Sequence, residues 1–164
     1  MVFRHHQFKI KYPDGYVVKS EFKKIYFKNK RKTKGAELYL DNVFRAFDVN
    51  KNNEVDFNEF IAALGIQCRG SIDEKLRWMF SVFDMNSDGV ISKSEMLCII
   101  RALYKMGKKL QRRHSTPDSH VKEIFEKNDL NDDEVLTLDE FLQIQTTEPE
   151  LMKAMCTNRM NIGI

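Results

Sequence analysis

Residues 84–95 read DMNSDGVISKSE, and this stretch decides the fold of the chain. Oxygen-bearing side chains stand at its positions 1, 3, 5, 9 and 12, with Gly89 at position 6; they are Asp84, Asn86, Asp88, Ser92 and Glu95. Three of these side chains are anionic and would repel one another at close range. The pattern therefore predicts that a cation lies between them.

Two further stretches repeat the pattern in the same register, DVNKNNEVDFNE at 48–59 and DLNDDEVLTLDE at 129–140. Both have aspartate at position 1, asparagine at position 3, an oxygen-bearing side chain at position 5 and glutamate at position 12. Position 8 is apolar in all three stretches: Val55, Ile91 and Leu136. One acidic loop arises easily by chance, but three in one register indicate an internal repeat.

Apolar residues on both sides of each stretch recur at the spacing of one face of an amphipathic helix. Those before the stretches are Leu40, Val43, Phe44 and Phe47, then Leu76, Met79, Phe80 and Phe83, then Val121, Ile124 and Phe125. Those after them are Phe60, Ala63 and Leu64, then Met96, Ile99 and Ile100, then Phe141 and Ile144. Helix starts are marked by a capping box at Ser71–Glu74 and by Thr116 before Pro117. Each unit is predicted to be a helix, a twelve-residue loop and a second helix.

A helix–loop–helix unit with these oxygens is an EF-hand, whose loop surrounds Ca²⁺ with side chains at positions 1, 3, 5 and 12 and a backbone carbonyl at position 7. The predicted ligands of loop 84–95 are Asp84, Asn86, Asp88, Val90 and Glu95. Those of loop 48–59 are Asp48, Asn50, Asn52, Glu54 and Glu59. Those of loop 129–140 are Asp129, Asn131, Asp133, Val135 and Glu140. We expect two or three Ca²⁺ ions, with Mg²⁺ able to occupy the sites at rest; the alternative is that the acids of a loop are only solvated.

The loops differ at position 6, where the backbone needs a positive φ. Gly89 adopts this conformation freely and Asn53 does so readily, whereas Glu134 should lower affinity by a factor of roughly five. Asn128 replaces the phenylalanine that ends the other incoming helices, which predicts weaker packing of that helix. We therefore expect loop 84–95 to bind metal most tightly, loop 48–59 next and loop 129–140 most weakly.

A fourth unit is predicted upstream, because EF-hands pair through their position-8 residues. Residues 10–21 supply Val17 at position 8 and Glu21 at position 12. However, Ile10 and Tyr12 stand at positions 1 and 3, where ligands are needed, and Pro13 stiffens the loop. This hand is predicted to be a structural partner of loop 48–59 that binds no metal.

The four loop starts predict an all-α fold of two lobes, each a pair of EF-hands with a short β-ladder between its loops. The first lobe is expected at 1–68, with the degenerate hand at about 1–30 and a second hand at about 37–67. The second lobe is expected at 69–164, with hands at about 72–106 and 117–146 and a C-terminal helix at about 148–158.

Composition and charge agree with a soluble protein of the cytoplasm, with the membrane surface as a peripheral location. Of 164 residues, 42% are hydrophobic and 31% charged, and no apolar run approaches the roughly 18 residues of a membrane span. Residues 1–34 hold eleven Lys and Arg against two acids, a net charge of +9, whereas the remainder carries −6. The basic run Lys28–Lys34 predicts salt-sensitive contact with an anionic membrane surface, with a solvated loop as the alternative. No nucleic-acid partner is expected.

The three cysteines are odd in number and far apart, which fits neither a disulfide framework nor a zinc site. We expect them to be small buried side chains in a reducing compartment. The chain also has no HExxH, GxSxG or glycine-rich phosphate loop, and its four histidines lack ligand spacing. We expect no enzymatic activity.

The chain resembles the neuronal calcium sensor family, which includes recoverin, visinin-like proteins, frequenin and potassium-channel-interacting proteins. The likeness covers most of the chain, and the stretches that carry it are EFKKIY at 21–26, VFRAFD at 43–48, DFNEFIAAL at 56–64, RGSIDEKLRWMFSVFD at 69–84 and LTLDEF at 136–141. Tyr12-Pro13-Asp14-Gly15 stands where the family has a disabling Cys-Pro-x-Gly loop. Val2 stands where the family has its myristoylated glycine, so we expect any membrane attraction to be electrostatic and not through an acyl chain.

The resemblance implies an intracellular Ca²⁺ sensor that regulates a channel, a receptor kinase or a lipid kinase. Such a sensor opens an apolar groove that accepts an amphipathic helix of the target. Groove candidates are Phe22, Trp78, Met79, Phe80 and Leu97, for which an ordinary core position is the alternative. The tail from Leu151 either competes for this groove or caps the second lobe. A Ca²⁺ buffer that does not open is the alternative function.

Overall fold

Four helix–strand–helix units follow one another in the computed structural model, which describes residues 2–27, 33–106 and 116–156. The first lobe contains α1 (Val2–Lys11), β1 (Tyr16–Val18), α2 (Lys19–Phe27), α3 (Lys34–Phe47), β2 (Glu54–Asp56) and α4 (Phe57–Arg69). The second lobe contains α5 (Ile72–Phe83), β3 (Val90–Ser92), α6 (Lys93–Lys105), α7 (Pro117–Asn128), β4 (Val135–Thr137), α8 (Leu138–Leu142), α9 (Ile144–Thr147) and α10 (Pro149–Cys156). The predicted all-α fold of paired EF-hands is confirmed.

Two short antiparallel ladders join the loops in the predicted pairs. β1 pairs with β2 so that Val17 faces Val55, and β3 pairs with β4 so that Ile91 faces Leu136. All four of these residues are fully buried. The degenerate hand therefore keeps the structural half of the motif, as predicted, because the ladder depends on position 8 and not on the ligands.

Side chains at the loop ends start the outgoing helices. Position 9 of the last three loops is an N-cap, and the glutamate at position 12 completes a capping box with it: Asp56 with Glu59, Ser92 with Glu95, and Thr137 with Glu140. The predicted helix starts at Ser71 and Thr116 are also confirmed. Capping fixes the direction in which each outgoing helix leaves its loop.

Phenylalanine rings fill the core of each lobe. Phe22 packs edge-on against Phe44 and Phe47, with ring centroids 5.4 and 5.1 Å apart. In the second lobe Phe141 contacts both Phe80 and Phe83. These residues lie on the predicted apolar helix faces, so burying those faces forms the lobes.

Helices α3 and α6 connect the two lobes through a close approach. A methyl group at Gly35 would lie 2.8 Å from Cβ of Lys105 and 3.1 Å from the carbonyl oxygen of Ala102. Only glycine fits this spacing without displacing α6. The lobes therefore form a packed interface.

Three sequence expectations need correction. The helix before loop 129–140 is not loosely packed, because Asn128 is buried, donates to the carbonyl of Ile124 and accepts from the Thr147 hydroxyl. The outgoing helix of the same hand is interrupted at Gln143. Cys68 is exposed and Cys98 only partly buried, since neither lies on the core face of its helix.

Two further expectations fall partly outside the described residues. Most of the basic run Lys28–Lys34 and the end of the C-terminal helix predicted at about 148–158 belong to segments that the structure does not describe. Among the residues it does describe, no helix is both long and apolar enough to cross a bilayer.

Candidate metal centres

The aspartate at position 1 is held at the centre of each of the last three loops. Asp48 accepts hydrogen bonds from the N–H groups of Asn52 and Asn53 at 3.1 and 2.8 Å. Asp84 accepts from Asp88 and Gly89, and Asp129 from Asp133 and Glu134, all within 3.3 Å. Each loop therefore curls around its first carboxylate.

The side chains at positions 3 and 5 form hydrogen bonds within their own loop. In loop 48–59, Asn50 accepts from the N–H of Asn52 and Asn52 accepts from that of Glu54. In the two later loops the position-3 amide also donates to the position-5 carboxylate, from Asn86 to Asp88 at 2.7 Å and from Asn131 to Asp133 at 2.8 Å. These contacts orient the side-chain oxygens and offset part of the repulsion among carboxylates.

The glutamate at position 12 reaches back across its own loop. Glu59 accepts from the N–H groups of Val49 and Asn50 with one oxygen and from that of Asp56 with the other. Glu95 does the same with Met85 and Ser92, and Glu140 with Leu130 and Thr137. This glutamate lies in the first turn of the outgoing helix, so its hydrogen bonds tie that helix to the start of the loop.

Hydrogen bonding keeps the last of these glutamates ionised. Burial would raise the pKa of Glu140, but hydrogen bonds from Thr137 and Leu130 hold the pKa below its usual value. A cation requires the ionised form, so this environment suits metal binding.

The backbone has a positive φ at position 6, as predicted: 65° at Asn53, 90° at Gly89 and 67° at Glu134. The carboxylate of Glu134 also receives Nζ of Lys93 at 2.8 Å, which links the two paired loops. Position 4 has a positive φ as well, at Lys51, Ser87 and Asp132. That second turn was not anticipated, because these residue types carry no signal for it.

The donor set of each loop fits a hard divalent cation such as Ca²⁺. Every predicted side-chain ligand offers oxygen, and the predicted position-7 carbonyls belong to Glu54, Val90 and Val135, each the first residue of a ladder strand. Within the described part of the chain, no three Asp, Glu, His or Cys side chains form a ready cluster. Amides and carbonyls would supply the remaining oxygens, so the ligand assignments stay predictions.

The loop at 10–21 differs from the other three. Tyr12, at position 3, is buried and packs on Phe8 with ring centroids 5.0 Å apart. Burial, together with the charge of Glu21, raises the pKa of Tyr12. Ile10, at position 1, is 63% exposed and offers no oxygen from its side chain. This geometry supports the interpretation of a hand without metal.

The groove candidates separate into two groups. Phe22, Met79 and Phe80 are buried core residues. Trp78 and Leu97 are only partly buried and line two surface grooves, of about 440 and 510 Å³. The structure therefore favours the ordinary core position for the first three.

Two polar contacts were missed by the sequence reasoning. Arg45 of α3 donates to carbonyls at the end of α5, and His120 of α7 meets Glu148 between α9 and α10 at 3.3 Å. The signal for both was a charged or titratable residue next to the apolar face of an amphipathic helix, and this signal does not by itself identify the partner.

Comparison with known proteins gives two family matches, each described as an EF-hand domain pair, over residues 13–67 and 73–146. The chain is 37% identical over 155 residues to guanylyl cyclase-activating protein 2 of Gallus gallus, covering 91% of this chain and 77% of that protein. It is 33% identical to guanylyl cyclase-activating protein 2 of Lithobates pipiens, covering 91% of this chain and 78% of that protein.

Proposed function

We propose, on the premise that this chain belongs to the neuronal calcium sensor family of EF-hand proteins, that it is a Ca²⁺ sensor that regulates a target protein. Calcium binding and sensing are supported by the two EF-hand domain pairs and by the two relatives described above, which are named as activators of another protein. No catalytic role is proposed for the chain itself.

The observation that carries the proposal is the repeated geometry of the three loops. In each, the position-1 aspartate accepts a hydrogen bond from the N–H of position 6, and the position-12 glutamate accepts one from the N–H of position 2. Bound Ca²⁺ would supply the positive charge that this oxygen set lacks. We propose binding at loops 84–95, 48–59 and 129–140 in descending order of affinity, and none at 10–21.

A guanylyl cyclase is the target that we favour. The relatives are guanylyl cyclase-activating proteins by name, whereas the channel and kinase targets expected from the wider family have no such support. We propose that an amphipathic helix of the target binds beside Trp78 or Leu97, where apolar side chains line open grooves. Salt-sensitive membrane contact through Lys28–Lys34 is part of the same proposal.

A Ca²⁺ buffer is the second candidate function, favoured by how deeply Phe22 and Met79 are buried. A sensor must expose new apolar surface when it binds Ca²⁺, and a buffer need not.

A Ca²⁺ titration of the full chain tests the proposal by counting bound ions while an apolar dye reports exposed surface. Membrane guanylyl cyclase activity is then measured with the chain present at low and at saturating Ca²⁺. We expect two or three ions, new dye binding and a Ca²⁺-dependent change in cyclase activity. If the chain bound ions without new dye binding and without a change in cyclase activity, it would be a Ca²⁺ buffer and not a sensor.

A further inference from the structure

Arg45 crosses from one lobe to the other. It lies on α3, three residues before Asp48, and its guanidinium reaches the carboxyl end of α5 in the second lobe. Nη2 donates to the carbonyls of Ser81 and Val82 at 3.0 and 3.2 Å, and Nη1 donates to the carbonyl of Asp84. Arg45, which lies three residues before loop 48–59, thus binds the backbone of Asp84, the first residue of loop 84–95.

The carboxyl end of α5 is a suitable partner for a cation. The last carbonyls of a helix have no partner within the helix and carry partial negative charge. The planar guanidinium can bind several of them at once, which a lysine ammonium does less well. Asp84 is both the C-cap of α5 and position 1 of loop 84–95. Binding its carbonyl therefore positions the peptide that carries the first ligand.

The surroundings of Arg45 place it between the two loops. The groove of about 440 Å³ is lined by Asp48 and Lys51 of one loop, Ser87 of the other, and Arg45 with Trp78 between them. The Trp78 ring also packs edge-on against Phe47, the last residue of α3, at 6.0 Å. Burial lowers the pKa of Arg45 below its ordinary value, and the nearby charges of Asp84 and Glu95 oppose this lowering. The guanidinium is therefore within electrostatic range of two predicted ligands of loop 84–95.

We propose that Arg45 is a positioning residue that couples metal binding at loop 48–59 to metal binding at loop 84–95, across the interface of the two lobes. The coupling rests on the proposed metal sites. Asp48, at the end of α3, would hold an ion in loop 48–59, and Arg45 on the same helix would carry the effect of that ion to the peptide of Asp84 through its hydrogen bonds. Because coupling between sites is reciprocal, an ion in loop 84–95 strengthens binding at loop 48–59 by the same factor.

The experiment is a thermodynamic cycle with site-resolved Ca²⁺ titration of the full chain, read by NMR at the position-6 amides of Asn53, Gly89 and Glu134. Glu59→Gln disables loop 48–59 alone. In the wild-type background we expect it to weaken binding at loop 84–95 by about fivefold or more, in the usual range of coupling between sites. In an Arg45→Gln background this further loss should be absent.

A charge-conserving variant separates positioning from simple electrostatics. Arg45→Gln and Arg45→Lys should both weaken loop 84–95, because glutamine has only two N–H donors and the single nitrogen of lysine cannot reproduce the spread of Nη1 and Nη2 over the three carbonyls. If Arg45 acted only as a positive charge opposing Ca²⁺, Arg45→Gln would tighten that loop and Arg45→Lys would leave it unchanged, and the proposal would be wrong. Arg77→Gln is the matched control, since Arg77 lines the same groove but is exposed and pairs with Asp73.

Three other results would distinguish failure of the coupling from failure of the proposed function or of the positioning role. An undiminished effect of Glu59→Gln in the Arg45→Gln background overturns the coupling while leaving the sensor function intact. A wild-type chain that binds no Ca²⁺ overturns the proposed function itself, and that result is visible before any variant is made. Amide exchange at Met85 and Asn86 without metal should be faster in both Arg45 variants, and unchanged exchange would contradict the positioning role.

Discussion

The glutamate at position 12 of each of the last three loops serves two structural purposes. It completes a capping box for its outgoing helix and accepts N–H groups from the start of its loop. The same two oxygens are the predicted bidentate ligand. A single carboxylate therefore links helix direction, loop closure and metal affinity, which makes it the most informative residue to change.

Glu95→Gln should abolish the tightest binding step, because the amide removes one negative charge from the bidentate position. Gln can still accept the loop N–H groups, so the fold should be retained. Isothermal titration calorimetry of Glu95→Gln, Glu59→Gln and Glu140→Gln measures the loss at each loop. A larger loss of the tightest step in Glu140→Gln than in Glu95→Gln would show that the proposed order of sites is wrong.

Glu134→Gly should tighten loop 129–140 by about fivefold, because it removes the backbone cost of a positive φ at a residue with a side chain. The ion pair that it loses with Lys93 is exposed and contributes little. Site-resolved titration measures the change, and Asn53→Gly is the matched control with a smaller expected gain. Weaker binding after Glu134→Gly would mean that the link to Lys93 matters more than the turn.

At the scale of elements, a buried polar cluster joins α7 to the junction of α9 and α10. His120 and Glu148 are each 1% exposed, and Glu148 also accepts from Lys127 at 3.0 Å. Tyr104 of α6 lies 3.4 Å from the His120 ring. Residues of α6 and α7 therefore meet the α9–α10 junction in one polar cluster.

Acid should destabilise the second lobe through Glu148. Burial alone would raise the pKa of Glu148, but hydrogen bonds and charge from His120 and Lys127 lower it to about 2, from an ordinary value of 4.5. A lowered carboxyl pKa contributes stability above the ordinary value, and that stability is lost as pH falls from about 4.5 to about 2. The difference corresponds to about 3 kcal/mol of unfolding free energy.

Urea unfolding of the wild type and of Glu148→Gln at several pH values measures this contribution. The variant should be less stable at pH 7 and should lose less stability between pH 5 and pH 2, a window set by that pKa. Glu150→Gln is the control, since Glu150 is an exposed carboxylate two residues away. Parallel pH curves for wild type and Glu148→Gln would show that the cluster carries no such dependence.

The C-terminal helix is anchored by Leu151, which is 1% exposed in the core. Leu151→Ala should lower the unfolding free energy of the second lobe by about 2–4 kcal/mol. This outcome corresponds to a helix that caps the lobe. If the variant instead kept its stability and bound a target peptide more tightly, the tail would be a competitor for the groove. Met152→Ala is the control, because Met152 is only partly buried.

At the scale of the whole molecule, a sensor must bind Ca²⁺ and its target cooperatively. A target helix that binds only the opened chain should tighten Ca²⁺ binding by the same factor by which Ca²⁺ tightens the helix, typically about fivefold or more. Calorimetry with an amphipathic cyclase peptide, in both orders of addition, measures the two factors. A chain that binds Ca²⁺ equally well with and without every such peptide would act as a buffer.

The sequence determined the parts of this protein that depend on neighbouring residues. Helix faces with a 3.6-residue period and capping boxes over four residues are local patterns, and the structure has the predicted apolar faces and the predicted helix starts at Ser71 and Thr116. The loop ligands also follow a local spacing, and their assignment remains a prediction. The pairing of Val17 with Val55 and of Ile91 with Leu136 was also predictable, because EF-hands pair by a fixed rule.

Only the tertiary structure decided which polar groups meet between helices. Arg45 and Asp84 are 39 residues apart in sequence, and His120 and Glu148 are 28 apart. Whether such groups touch depends on the crossing of packed helices, including the close approach of α3 and α6 at Gly35. The position of Asn128 was misjudged for the same reason, since its partner Thr147 lies on the interrupted helix after the loop. Local patterns specify faces and turns, whereas these contacts arise from how the faces are packed together.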